Sequence, residues 1–209
     1  MKVKNKLLNI AIIGLMMTAM AIVPMASAAR TIYVGETQYS KYDLNKDGAV
    51  DQKDVDVFVA AYGKTGAPGW IPADINKDGK VNAIDASGLV NHYGEVHMPS
   101  LNVASAVKMA SAGDTVYVLI GTYKENVVVD KAITLQGENN AKTILDGTGH
   151  TFVVKVLGKG VTITGFTIKN GQSGIWADTK LNSYTGNKFI NNKKDITEPT
   201  TPQGSLVNK

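Results

Sequence analysis

The chain has 209 residues, with 22 Lys and Arg, 18 Asp and Glu, and no cysteine. Disulfides are therefore excluded as a source of stability, and a bound metal or a repetitive core must take their place. Without Lys2, Lys4 and Lys6, 19 basic residues face 18 acidic ones, so the basic balance argues for neither nucleic-acid nor membrane partners.

Those three lysines open a signal-peptide pattern over residues 1–28. Leu7–Val23 is an apolar run, Pro24 breaks it, and Ala26-Ser27-Ala28 is the small-residue pattern that signal peptidase reads. The alternative is an N-terminal anchor, but this almost unbroken run of 17 residues lies at the lower edge of what spans a bilayer. The expected mature start is near Ala29, and the expected location is secreted, extracellular or at the cell surface. No second apolar segment follows, so no membrane association is expected after cleavage.

Two stretches then repeat with a period of 31 residues, DLNKDGAVDQKD at 43–54 and DINKDGKVNAID at 74–85. Oxygen-bearing side chains occupy loop positions 1, 3, 5, 9 and 12. They are Asp43, Asn45, Asp47, Asp51 and Asp54, then Asp74, Asn76, Asp78, Asn82 and Asp85. Gly48 and Gly79 stand at position 6, where the chain must turn sharply, and the carbonyls of Ala49 and Lys80 at position 7 complete each set. A hard cation that takes six to eight oxygens suits this spacing, so two calcium ions are expected, ahead of magnesium. Val50 and Val81 at position 8 should form a short apolar link between the loops.

The repeat extends through Phe58/Leu89, Val59/Val90, Tyr62/Tyr93 and Gly63/Gly94. Apolar residues at i, i+1 and i+4 predict one helix after each loop, with the glycines as C-caps. A helix on one side only, with Asp at position 12, resembles a type I dockerin over residues 41–95. The resemblance implies a small, all-α, EF-hand-like calcium domain that docks into a cohesin-like domain. It also implies a partner face at loop positions 10 and 11, here Gln52 and Lys53 in one repeat and Ala83 and Ile84 in the other. Trp70, in the connection GKTGAPGWIPA, either packs onto the helix pair, as expected, or faces a partner.

A second module is expected from residue 99, and beyond residue 114 the composition turns to Gly, Thr, Val and Asn. Leu101, Ala104, Val107 and Met109 lie at roughly helical spacing, and Gly113-Asp114 ends that stretch. Strands are predicted over Thr115–Ile120, Asn126–Val129, Ile133–Gln136, Thr143–Leu145, Phe152–Leu157, Val161–Thr164, Phe166–Lys169 and Tyr184–Ile190. Gly137, Gly165 and Gly186 recur in ITLQG, ITGFTIKN and YTGNKFINN at spacings of 28 and 21, close to one solenoid turn. Leu135, Ile163 and Tyr184 then form one inward column and Ile144, Ile168 and Phe189 another, with Thr162, Thr164, Thr167 and Lys169 facing outward.

The opening SAVKMASAGDTVYVLIGTYKENVVVDKAITLQGENNAKTILDGTG and the rung VTITGFTIKNG resemble the right-handed parallel β-helix of the pectin lyase-like superfamily, in its NosD-like and pectinesterase-like branch. The alternative architecture is a sandwich or barrel. The resemblance allows a polysaccharide-degrading enzyme, yet the strands a pectinesterase needs are missing. The only acids between Gly137 and Lys193 are Glu138, Asp146 and Asp178, with no evident acid-base pair. No catalytic residues are assigned.

The expected architecture is thus mixed. A signal peptide (1–28) precedes a dockerin-like calcium domain (41–95), a short β-helix of about three turns (99–192) and a disordered tail (193–209). The expected function is a secreted calcium-binding docking protein that tethers a carbohydrate-binding or structural β-helix to a cohesin-bearing surface or complex. The rival is an enzyme, or a fragment of one, of polysaccharide catabolism, of glycoside hydrolase, pectate lyase or pectinesterase type.

Overall fold

The computed structural model describes residues 29–35 and 39–199. The signal-peptide reading and residues 200–209 of the tail fall outside them. Among the described residues no helix is long and apolar enough to cross a membrane.

Among the described residues, thirteen strands form three all-parallel sheets. The first runs β2 (Glu95–His97), β1 (Thr31–Val34), β3 (Thr115–Val118), β6 (Thr134–Gly137), β9 (Thr162–Thr164). The second runs β12 (Lys188–Ile190), β10 (Thr167–Lys169), β7 (Thr143–Asp146), β4 (Gly121–Tyr123). The third runs β13 (Lys194–Thr197), β11 (Ser173–Ala177), β8 (Phe152–Val156), β5 (Val127–Val129). From β3 to β11 the chain visits the three sheets in turn, which makes a parallel β-helix-like fold. Thr115, Thr134, Thr162 and Ser183 occupy equivalent places in successive coils, offset by 19, 28 and 21 residues. Four passes therefore fit where the sequence suggests about three.

The inward column of the first sheet is longer than the sequence suggests. Val96, Ile32, Val116, Leu135 and Ile163 stand in register across five strands. All but Val96, at 7 %, are fully buried. Each such side chain contributes about 1.5–3 kcal/mol relative to exposure. Tyr184 extends the column, next to Ser183, which bridges Thr162. In the second sheet the column is Leu145, Ile168 and Phe189, not Ile144, Ile168 and Phe189. Ile144 pairs with Thr167 instead, because a one-residue slip in a strand turns every side chain to the other face. Thr167 itself is buried, and its hydroxyl donates to the Asn140 carbonyl at 2.6 Å.

Strands β1, β2, β4, β11 and β13 are not predicted by the sequence pattern. β13 lies inside the stretch read as tail and pairs with β11, Ile196 against Ile175. The predicted Tyr184–Ile190 strand is confined to Lys188–Ile190. Asparagines take over at the bends, where Asn187 accepts from the Phe166 amide and donates to the Ile163 carbonyl. Asn192 does the same for Gly171 and Ile168 one bend later.

Three helices complete the described fold: α1 (Gln52–Ala61), α2 (Ala83–Asn91) and α3 (Val103–Met109). In α3 the buried residues are Val103, Ala106 and Val107, while Met109 is 45 % exposed, so the apolar face is rotated from the expected one. Tertiary groups set that rotation. Glu125 accepts the first amides, of Val103 and Ala104, and Lys131 donates to the last carbonyls, of Val107, Lys108 and Ala110.

Residues 41–94 leave the first sheet after β1 and return to it as β2. Because β1 pairs with both β2 and β3, the loop-and-helix segment is an insertion into the first sheet of the β-helix.

Candidate metal loops

The two loops are local copies. In each, the position 1 carboxylate accepts the amides of positions 5 and 6. For Asp43 the donors are Asp47 and Gly48, at 3.2 and 2.9 Å, and for Asp74 they are Asp78 and Gly79, at 3.0 and 2.9 Å. The position 12 carboxylate accepts from positions 3 and 9, Asp54 from Asn45 and Asp51, Asp85 from Asn76 and Asn82. Lys46 and Lys77 sit at φ 62° and 59°, and Gly48 and Gly79 at 97° and 84°, so the glycine at position 6 is a steric requirement.

The same groups start the helices. Asp51 and Asn82 are N-caps, and Asp54 and Asp85 close the capping boxes by accepting the N-cap amides. The helices therefore begin inside the repeat, both at position 10. Phe58 and Leu89 are fully buried, whereas Val59 is 48 % exposed, so the apolar face runs through Val55, Phe58 and Ala61 instead.

Asp43, Asp54, Asp74 and Asp85 are at most 3 % exposed, and no salt bridge among the described residues reaches them. Buried carboxylates without a positive partner are costly, and the spacing of these oxygens is compatible with a divalent cation. Asn45, Asp47, Asn76 and Asp78 are exposed, Asp51, Asn82 and Ala49 are half-buried, and Lys80 is exposed. Among the described residues no three His, Cys, Asp or Glu side chains are gathered as a preformed metal cluster. The donors fit calcium in kind, as oxygen-only sets in which Asn and carbonyl oxygens share the work.

Val50 and Val81 are both buried in one core with Phe58 and Leu89. Their backbones do not link the two loops to each other. Val81 pairs with the segment after α1, through Gly63 to its carbonyl and from its amide to Lys64. Val50 pairs with Gly94 and Glu95, at the start of β2. The junction is closed by Glu95, whose carboxylate lies 3.0 Å from His92 Nδ1 and 2.8 Å from His97 Nε2. Tyr42 stacks on His92 and Tyr33 on His97, at 3.8 and 4.2 Å.

The expected partner face is accessible. Gln52, Lys53, Ala83 and Ile84 are all exposed, Ile84 by 64 %. Lys53 is not free, because its ammonium lies 2.6 Å from Asp47 and holds that carboxyl below the usual range. Trp70 does not pack onto the helices. It is 82 % exposed, because its connection is anchored instead by Ile71 against the core and by the Gly66 amide on the Gly79 carbonyl.

On the β-helix, Asp146 is held in its turn by Thr148 Oγ1 at 2.6 Å, the Thr148 amide and Asn170, with Lys169 at 3.4 Å. Burial raises its pKa, but these partners outweigh burial and bring it to about 2, so it stays ionised. Glu138 accepts the Ile120 amide, and Asp178 is exposed. No family model matches the chain, and neither a curated protein nor a solved structure matches it.

Proposed function

We propose that the chain is an exported calcium-binding docking protein, in which a dockerin-like insertion is carried by a parallel β-helix. One ion is bound by Asp43, Asn45, Asp47, Ala49, Asp51 and Asp54, and the other by Asp74, Asn76, Asp78, Lys80, Asn82 and Asp85. The observation that carries this reading is the pair of matched loops, each with two buried carboxylates and, among the described residues, no salt bridge on them. Calcium supplies positive charge there and favours the helix starts that the same residues cap. The docking face is the exposed ends of α1 and α2, at Gln52, Lys53, Ala83 and Ile84, and its partner is a cohesin-like domain. The β-helix is a structural or polysaccharide-binding body, since Asp146, the buried acid among Glu138, Asp146 and Asp178, is occupied by its own turn.

Titration calorimetry with calcium, followed by circular dichroism with and without EDTA, tests the reading. Binding of two ions and a calcium-dependent helical signal are expected. No heat of binding, together with a helical signal indifferent to EDTA, would overturn it.

A further inference from the structure

We propose that the two loops have different duties: an ion in the first loop reinforces the leading sheet of the β-helix, whereas an ion in the second acts only within the helix pair. This rests on the calcium reading above. The first loop is part of the sheet's edge. The His97 amide donates to the Gly48 carbonyl at 2.8 Å, Val50 donates to Glu95 at 2.9 Å, and Gly94 donates to Val50 at 2.8 Å. Ala49, the position 7 ligand, bridges Val96 in antiparallel sense. Val96 lies beside Ile32 in β1, which lies beside Val116 in β3.

Side chains follow the same route. Ala49 and Met98 pack against the β-helix core rather than the helix-pair core. A Cβ on Gly48 would meet Met98 Cγ at 2.9 Å. The second loop makes its contacts elsewhere. Lys80 bridges Thr65, Gly79 accepts from Gly66, and Val81 exchanges with Gly63 and Lys64, all inside the insertion. Identical ligand spacings thus feed two different neighbours.

An ion bound only to the closed loop suppresses every opening that breaks that loop. With calcium at a hundredfold its dissociation constant, the suppression approaches about 100-fold. The openings affected by the first ion are those of β2, which Gly48, Ala49 and Val50 hold, and those of β1 that carry β2 with them.

Hydrogen exchange by mass spectrometry on the intact chain, with a calcium titration, tests this. The matched variants are Asp47→Asn and Asp78→Asn, both at exposed position 5. Calcium should slow exchange over 31–34 and 95–97 in the wild type and in Asp78→Asn. In Asp47→Asn that slowing should be lost while the slowing over α2 remains. Equal responses of 31–34 and 95–97 in the two variants would overturn the inference. The wild-type titration makes the same test without substitution, because protection of 95–97 must follow the filling of one site rather than the sum of both. Two ions registered by calorimetry with no change over 95–97 would sink this inference and leave the calcium reading standing. No calcium binding at all would remove both.

Discussion

Arg30 and Asp114, 84 positions apart in the chain, meet at 2.7 Å between Nη2 and Oδ2. The Arg30 amide and Nε also donate to Asp114, at 2.9 and 3.2 Å, and the Ser111 amide adds a fourth bond at 2.8 Å. Thr115 returns its amide to the Arg30 carbonyl, so the pair locks β1 to the start of β3. Replacing Arg30 by Met would leave a carboxylate that is 3 % exposed without its cation. A loss of about 1–3 kcal/mol is expected, measured by urea unfolding, since hydrogen bonds to charged groups fall in that range.

The same pair sets an acid limit. Burial raises the pKa of Asp114, but Arg30 and the amides more than offset it, leaving it below the ordinary value. The sign follows from that depression: the stabilising contribution is complete above the carboxyl's unfolded pKa, about 4, and is lost as pH falls through the folded value. Asp146, at about 2, behaves alike, so its contribution fades between about 4 and about 2. The melting temperature should fall between about pH 5 and about pH 2, and Asp146→Asn should flatten part of that slope. A slope unchanged in both Asp114→Asn and Asp146→Asn would contradict the assignment.

Lys53 should make the first loop the weaker of the two proposed calcium sites. Its ammonium holds Asp47, an expected ligand, and the equivalent place in the second loop is taken by the uncharged Ile84. A divalent ion must displace that contact and then sit close to the ammonium, which lowers its affinity for this loop. Lys53→Ile should therefore bring the two sites closer together in a calorimetric titration. Unequal sites whose separation ignores this substitution would point to another cause.

Docking should be asymmetric. Ile84 is an exposed apolar side chain, whereas Lys53 is charged and engaged, so burial against a partner favours the α2 end. Ile84→Asp should weaken binding to a cohesin-like domain at least tenfold more than Lys53→Asp, because burying an unpaired carboxylate costs more than about 1.4 kcal/mol. Ile84→Asp should not move the melting temperature much, since Ile84 is exposed. Equal losses from both would show that the two faces are used alike.

Glycines at the coil bends are unequal too. Gly165 has φ 81°, and a Cβ there would run into the carbonyl of Gly137 in the coil below. Gly149 has φ 88° and open space around it. Gly149→Ala should cost roughly 1–2 kcal/mol, the strain of a left-handed backbone alone. Gly165→Ala should cost about 3 kcal/mol or more, because the coils must also separate. Comparable unfolding midpoints for the two variants would argue against close stacking at Gly137 and Gly165.

The sequence by itself determined whatever is settled within a dozen residues. The Asp and Asn spacing of the loops, the glycine at position 6 and the capping residues Asp51 and Asn82 all act over one loop and one helical turn, so their pattern can be read directly. The rungs are legible where apolar residues cluster, as in Phe152–Val156, and illegible in Ser173–Ala177, where Ser and Gly dilute them. What only the tertiary structure decided is who sits beside whom. Thr31–Val34 is completed as a strand by Glu95–His97 and Thr115–Val118, which lie beyond the whole insertion. The phase of Leu145, the rotation of α3 and the exposure of Trp70 are likewise set by contacts distant in sequence. Strand register and helix rotation depend on which distant backbone and side-chain groups complete them, and no local spacing encodes that choice.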